Sequence, residues 1–303
     1  MSIDEIPICD AHHHLWDLDH YHYPWLSGPE PHDFFLGDYE SLKRNYLPAD
    51  YRHDAAGHNV VKTVHVEAEY RRDDQVGESR WLTEIAAAHG MPNAIVAHAW
   101  FHTENSAEVL ARQAEFPLVR GIRSKPVTAA TPGASVDGQP GTMGDPTWRA
   151  GLRRLAEHDL SWDLRVPPWH LVEAAEVVAE IPEIPVVLNH TGFPWDRSEE
   201  GLAYWRDGMR ALARLENVYC KLSCLCLPDG PWTYEANRPI VLETIETFGA
   251  GRCMFASNFP VDGVRIGYGE MFDAFKRMVA DFSRDEQRAL FHDNAARFYR
   301  IED

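Results

Sequence analysis

Short apolar, β-rich runs alternate with longer stretches whose apolar residues recur at three and four positions, and this order repeats along the whole chain. The runs predict eight strands, at residues 6–10, 60–66, 94–100, 118–123, 161–166, 186–190, 218–222 and 253–257. Several of them are apolar at nearly every position, as strands covered on both faces should be. Between them, residues 78–90, 107–115, 147–158, 171–180, 202–215 and 240–248 have helical spacing. In the stretch 171–180, Leu171, Ala174, Ala175 and Val178 fall on one face. Residues 271–299 read as further helix, interrupted near Ser283, an N-cap residue type. Repeated βα units predict an α/β chain with a parallel sheet, and eight of them predict a (β/α)8 barrel in which residues 1–303 form one domain.

Two segments are too long for plain connections. Residues 16–54 are crowded with aromatics, prolines and histidines, and residues 127–146 are rich in Gly, Pro, Thr and Ala. Each follows a strand end on the face where barrels carry their chemistry, so both are read as lid or substrate-binding loops.

Charge narrows the partners. A formal net charge of −18 repels nucleic acid and anionic membrane across most of the surface, which leaves small molecules. The five cysteines lie mostly in strand-like runs, and Cys224-x-Cys226 has the wrong gap for a redox pair. No apolar run is long enough to span a bilayer, and residues 1–7 lack the basic and apolar regions of a signal peptide. A cytoplasmic location is expected, and exposed aromatics in long loops leave room for a homo-oligomer.

The strongest local signal is Asp10-Ala11-His12-His13-His14 at the end of the first strand. Side chains at i and i+2 of a strand share a face, so His12 and His14 can converge while His13 turns away. Two imidazoles aimed at the catalytic end of a barrel can ligate one divalent metal. The sixth strand ends Asn189-His190-Thr191-Gly192, adding a third histidine where strand becomes loop, and the eighth ends Ala256-Ser257-Asn258-Phe259-Pro260.

Together with Lys221-Leu222-Ser223 and the terminal Asn294-Ala295-Ala296-Arg297-Phe298-Tyr299, these motifs resemble the amidohydrolase-related branch of TIM-barrel hydrolases that includes sugar lactonases such as fuconolactonase and the pyrone-dicarboxylate lactonases. The resemblance spans nearly the whole chain. It implies hydrolysis of the ring ester of a lactone, with His12, His14 and His190 around the reacting carbonyl. Some members of that branch use a divalent metal and others need none. For this chain the resemblance therefore implies either one zinc or manganese ion held by His12, His14 and His190, or a metal-independent site.

One position departs from the pattern. The last strand of the family commonly ends Gly-Ser-Asp-Trp-Pro, whose aspartate activates water, and here Asn258 stands in its place. An amide does not accept a proton usefully at neutral pH, and positioned acid–base catalysis is worth ~10²–10⁴ in rate. Either another group activates water or the chemistry differs. Glu67 and Glu69, which share a face by alternation, Asp262, or a histidine are the substitutes, while Asn258 can still orient water through its amide. The change also removes the carboxylate that hard divalent metals favour.

Arg123, Lys125, Arg165 and Lys221 all fall at or near strand ends, which points to an anionic substrate. Trp16 and Trp100 are expected to wall the site, with Trp25, Trp169, Trp195 and Trp232 near the same ends or loops. The first reading is a lactone hydrolase acting on a small, anionic lactone from sugar-acid or aromatic catabolism. A metal-dependent decarboxylase on the same barrel and a ligand-binding barrel that has lost catalysis are the alternatives.

Overall fold

The computed structural model describes residues 3–28 and 34–302. Its strands are β1 (Ile8–His13), β2 (Val60–Val66), β3 (Ala94–Ala97), β4 (Val119–Ile122), β5 (Ser161–Leu164), β6 (Val186–Leu188), β7 (Val218–Leu222) and β8 (Cys253–Phe255). Each pairs in parallel with the next, in the order β1 to β8. Helices surround this sheet, and the architecture is the expected (β/α)8 barrel.

Closure occurs just beyond β8. The backbone N–H of Asn258 donates to the His12 carbonyl and that of His14 to the Phe259 carbonyl, both at 2.7 Å. Asp10 reinforces the seam: its buried carboxylate accepts from the Ser257 N–H at 2.8 Å, the Ser257 hydroxyl at 2.6 Å and the Tyr51 hydroxyl at 2.7 Å. The histidines of β1 are thus fixed against the loop after β8 by backbone and side-chain bonds together.

The helices follow the apolar periodicity, with instructive shifts at their ends. Ser283 caps Arg284–Arg288 in a capping box with Glu286, as its residue type predicts. The stretch expected to begin at 240 instead runs Tyr234–Phe248, because Thr233 accepts from the Ala236 N–H and Pro239 is tolerated in the second turn. Residues 154–158, expected as α-helix, form a 3-10 turn. Helices Leu171–Ala179 and Glu199–Ala213 approach closely at Gly208, where an added Cβ would lie 2.2 Å from the Leu171 Cβ.

Part of the long first loop crosses the barrel mouth, anchored where Trp16 and Tyr46 exchange backbone hydrogen bonds at 3.0 and 2.9 Å. Residues 29–33 of it lie outside the described residues. All five cysteines are buried free thiols, and among the described residues no helix is long and apolar enough to cross a membrane.

Candidate active site

At the carboxyl end of the barrel a cavity of about 240 Å³ collects side chains from six strand ends and the first loop. His14, His190, Asn258, Arg123, Lys125 and Arg165 reach its surface. The ring centroid of His12 lies 5.0 Å from that of His14 and 4.5 Å from that of His190, so the histidines singled out in the sequence do converge. His13 turns away, as alternation requires, and packs 4.7 Å from the Tyr51 ring.

Several of the turns that deliver these groups have unusual backbone. Glu69, His190, Phe193 and Asn258 all line the cavity and all have φ between 54° and 60°. A left-handed conformation costs a non-glycine residue about 1–2 kcal/mol, so the surrounding packing must impose it. Strain of this kind gathers where side chains are aimed at a ligand.

Each histidine is already engaged. His14 Nδ1–H donates to the Val66 carbonyl at 2.7 Å, and its Nε2 stands 3.2 Å from Asn258 Oδ1. His190 Nδ1 is 3.1 Å from the Ser223 hydroxyl. His12 has a cation at each nitrogen, Lys221 Nζ 3.5 Å from Nδ1 and Arg123 Nη1 3.5 Å from Nε2. Burial and these cations hold all three rings neutral: burial, Lys221 and the neighbouring rings push His12 well down, burial and Arg123 bring His14 to about 3, and burial, Arg123 and Arg165 push His190 well down.

Arg123 is held rigidly. Its Nε donates to Glu67 Oε1 at 2.8 Å and its Nη2 to the Glu67 carbonyl, which leaves Nη1 towards His12 and the cavity. Glu67 itself is fully buried and also accepts from Arg72 at 3.0 Å. Burial pushes its pKa up, but Arg123, Arg72 and Lys125 together outweigh burial and hold it well below the carboxylate range. A carboxylate so stabilised is a poor proton acceptor. The geometry therefore makes Glu67 the anchor of Arg123 and corrects its expected place beside the reacting atoms. Glu69, at the cavity surface, pairs with Lys125 and Arg72.

Other expected site residues stand behind the cavity surface. Lys221 is fully buried and donates to Asp163 Oδ2 at 2.7 Å, while Asp163 also accepts from Asn189 at 2.9 Å and the Tyr299 hydroxyl at 3.0 Å. Lys221 stands beside His12 and is not among the described residues that line the cavity. Trp16 is buried with its indole N–H on the Arg44 carbonyl at 2.7 Å, and Trp100 lies under the Arg72 guanidinium. The apolar wall is made instead by Trp25, Phe34, Phe35 and Phe193. No described residue from 127–146 lines the cavity, so the second loop does not serve as its lid. Trp25 was within reach of sequence reasoning. The phenylalanines lie in loops where periodicity gives no signal.

Asp262, the other acid expected to substitute, is fully buried behind Asn258, with Oδ1 accepting from Asn258 Nδ2 at 2.8 Å and Oδ2 without a hydrogen-bond partner among the described residues. Burial pushes its pKa up to about 7 against the hydrogen bond from Asn258.

A divalent metal does not fit this donor set. Both nitrogens of His12 face cations, the Glu67 carboxylate is neutralised by Arg72 and Arg123, and the position beside the His14 Nε2 that a metal would use holds an amide. Among the described residues, no three His, Cys, Asp or Glu side chains are arranged to hold a metal ion. The expected ligand set of His12, His14 and His190 converges in space but is surrounded by the wrong charge.

The model of the family described as Amidohydrolase matches residues 9–301. An uncharacterized protein of Sinorhizobium fredii, y4mH, is 40% identical over 303 residues, covering 99% of this chain and 100% of that one. The L-fucono-1,5-lactonase of Burkholderia multivorans is 28% identical over 305 residues, covering 96% and 95% of the two chains. Among solved structures, an amidohydrolase of Burkholderia multivorans with bound HEPES superimposes with a TM-score of 0.79 at 25% identity, covering 97% of this chain and 99% of that one. A second crystal structure of that amidohydrolase contains zinc and superimposes with a TM-score of 0.77, at the same identity and coverage.

Proposed function

The chain belongs to the amidohydrolase family, and from that premise we propose that it hydrolyses a small, anionic lactone without a metal. The observation that carries this reading is Arg123, clamped by Glu67 so that its free Nη1 faces the cavity among His12, His14 and His190. Relatives named as lactonases support the ring ester as the bond attacked.

In this reading a water oxygen attacks the lactone carbonyl carbon, and the negative charge that develops on the carbonyl oxygen falls to Arg123 and Lys125. Fixed cations in a partly dry cavity stabilise such a charge far better than water does, because they need no reorganisation when it appears. His190, held by Ser223 through Nδ1, presents Nε2 to accept the proton of the attacking water. The ring is unprotonated at neutral pH, and the burial and cations that keep it so also weaken it as a base until the negative charge developing on the carbonyl oxygen offsets them. The acyl carbon–ring oxygen bond then breaks, the ring oxygen takes that proton, and the product is a hydroxy acid that ionises at neutral pH.

The test is an indicator assay for proton release across neutral and carboxylated five- and six-membered lactones, with the product checked by mass spectrometry. Ring opening to an acid one water heavier than the substrate is expected for at least one carboxylated lactone. Carbon dioxide as product, or no opening across the panel, contradicts the reading.

A further inference from the structure

The cations of the site differ in whether the protein already neutralises them. Arg123 is paired with Glu67, Lys125 with Glu69, and Lys221 with Asp163. Arg165 has no ion-pair or hydrogen-bond partner among the described residues, and its guanidinium lies over the Phe193 ring, 5.0 Å from the centroid. It lines the cavity and is half-buried. Burial and the charge of Arg123 lower its pKa only to about 10, so it stays charged at neutral pH. Withdrawing a guanidinium from water without a counter-ion is unfavourable, and a ligand carboxylate would offset that cost with two parallel hydrogen bonds.

The rest of the lining limits what else the ligand carries. Besides ionised groups, its described polar members are His14, His190 and Asn258, and none of the described lining residues is Ser, Thr, Gln or Tyr. The neutral polar groups that could meet ring hydroxyls are already engaged, His14 with Val66, His190 with Ser223 and Asn258 with Asp262, so a ring bearing several hydroxyls would compete with those bonds. The aromatic wall suits a flat or apolar ring face.

On the reading of the site as a lactone hydrolase, we propose that its substrate is a monocyclic, hydroxyl-poor lactone with one carboxylate, which sits on Arg165 while the ring lies against Phe193 and the Trp25–Phe34 stack. The carboxylate is assigned to Arg165 because, among the described residues, it is the lining cation with no ion-pair partner. Arg165 then sets specificity and orients the ester carbonyl towards Arg123.

Binding and turnover test this separately. By calorimetry, 2-furoate, which has a carboxylated five-membered ring but no ester, should bind the wild type at least about 10-fold more tightly than furan-2-carboxamide. Arg165→Met should weaken 2-furoate about 10–100-fold, and Arg165→Lys should recover part of the loss, with melting curves confirming that both variants fold. In turnover, 5-oxotetrahydrofuran-2-carboxylate should exceed both γ-butyrolactone and glucono-1,5-lactone in kcat/KM, and Arg165→Met should collapse that preference through KM. Equal binding of acid and amide by the wild type, or unchanged 2-furoate affinity in Arg165→Met, overturns the proposal. Binding through Arg165 with no lactone opened upholds the carboxylate seat and overturns the hydrolytic reading instead.

Discussion

Asn258 Nδ2 donates to Asp262 Oδ1 at 2.8 Å, so the turn after β8 has an amide at the cavity surface and a carboxyl buried directly behind it. The order of these two groups governs the electrostatics of the site. A carboxylate at 258 would face His14 and offer a hard ligand. The acid four residues later is instead withdrawn from the cavity and pushed towards neutrality by burial.

That burial predicts a pH dependence of stability. The folded pKa of Asp262 is about 7, above the roughly 3.9 of an unfolded aspartate, so the folded state binds the proton more tightly than the unfolded chain. Its contribution is fully present below about pH 4 and is lost as pH rises towards 7. Asp262→Asn should therefore lose less stability than wild type between pH 5 and pH 8, a difference on the order of a few kcal/mol. Urea denaturation at the two pH values measures it. Equal losses in both proteins would show that Asp262 does not titrate in this way.

Glu67 and Arg123 should prove strongly coupled. Glu67→Gln leaves Arg123 and Arg72 without their shared carboxylate, and breaking a buried pair from one side costs ~3–5 kcal/mol. In a double-mutant cycle with Arg123→Met, the double variant should be clearly more stable than the sum of the two single losses predicts. Additivity within about 0.5 kcal/mol would contradict the clamp.

His190 should separate chemistry from binding. His190→Gln is expected to lower kcat by ~10²–10⁴ with little change in KM, the effect of removing a positioned base. Ser223→Ala, which frees the ring at Nδ1, should lower kcat by a smaller factor. Steady-state kinetics on the best lactone decides this, and a KM effect larger than the kcat effect would assign His190 to binding.

The barrel was legible because its strands are apolar on both faces and its helices carry a clear stripe, so two periodicities alternate without ambiguity. Strand ends were less so. Residues 165 and 166 continue the β-rich run 161–166 in composition, yet the ladder stops at Leu164 and the chain turns to bring Arg165 to the cavity. Spacing placed the cations at strand ends but could not say which were already paired. Alternation does put Asp163 on the same face as Arg165, but nothing in the spacing marks it as the buried partner of Lys221. The pairing of His12 with His14 followed from strand alternation, while the place of His190 beside them rested on its strand-end position and on the family resemblance. The aromatic wall did not, because Phe34, Phe35 and Phe193 reach the site through irregular backbone that no periodic pattern describes.

The most direct test of the account is the rate of lactone opening by protein stripped with a chelator, verified metal-free by elemental analysis, then assayed with and without added zinc or manganese. Full activity in the stripped protein, unchanged on resupply, is the result predicted by cations facing His12 and an amide beside His14. Activity lost on stripping and restored by one equivalent of metal would contradict it, and would make His12, His14 and His190 ligands after rearrangement of Arg123 and Lys221.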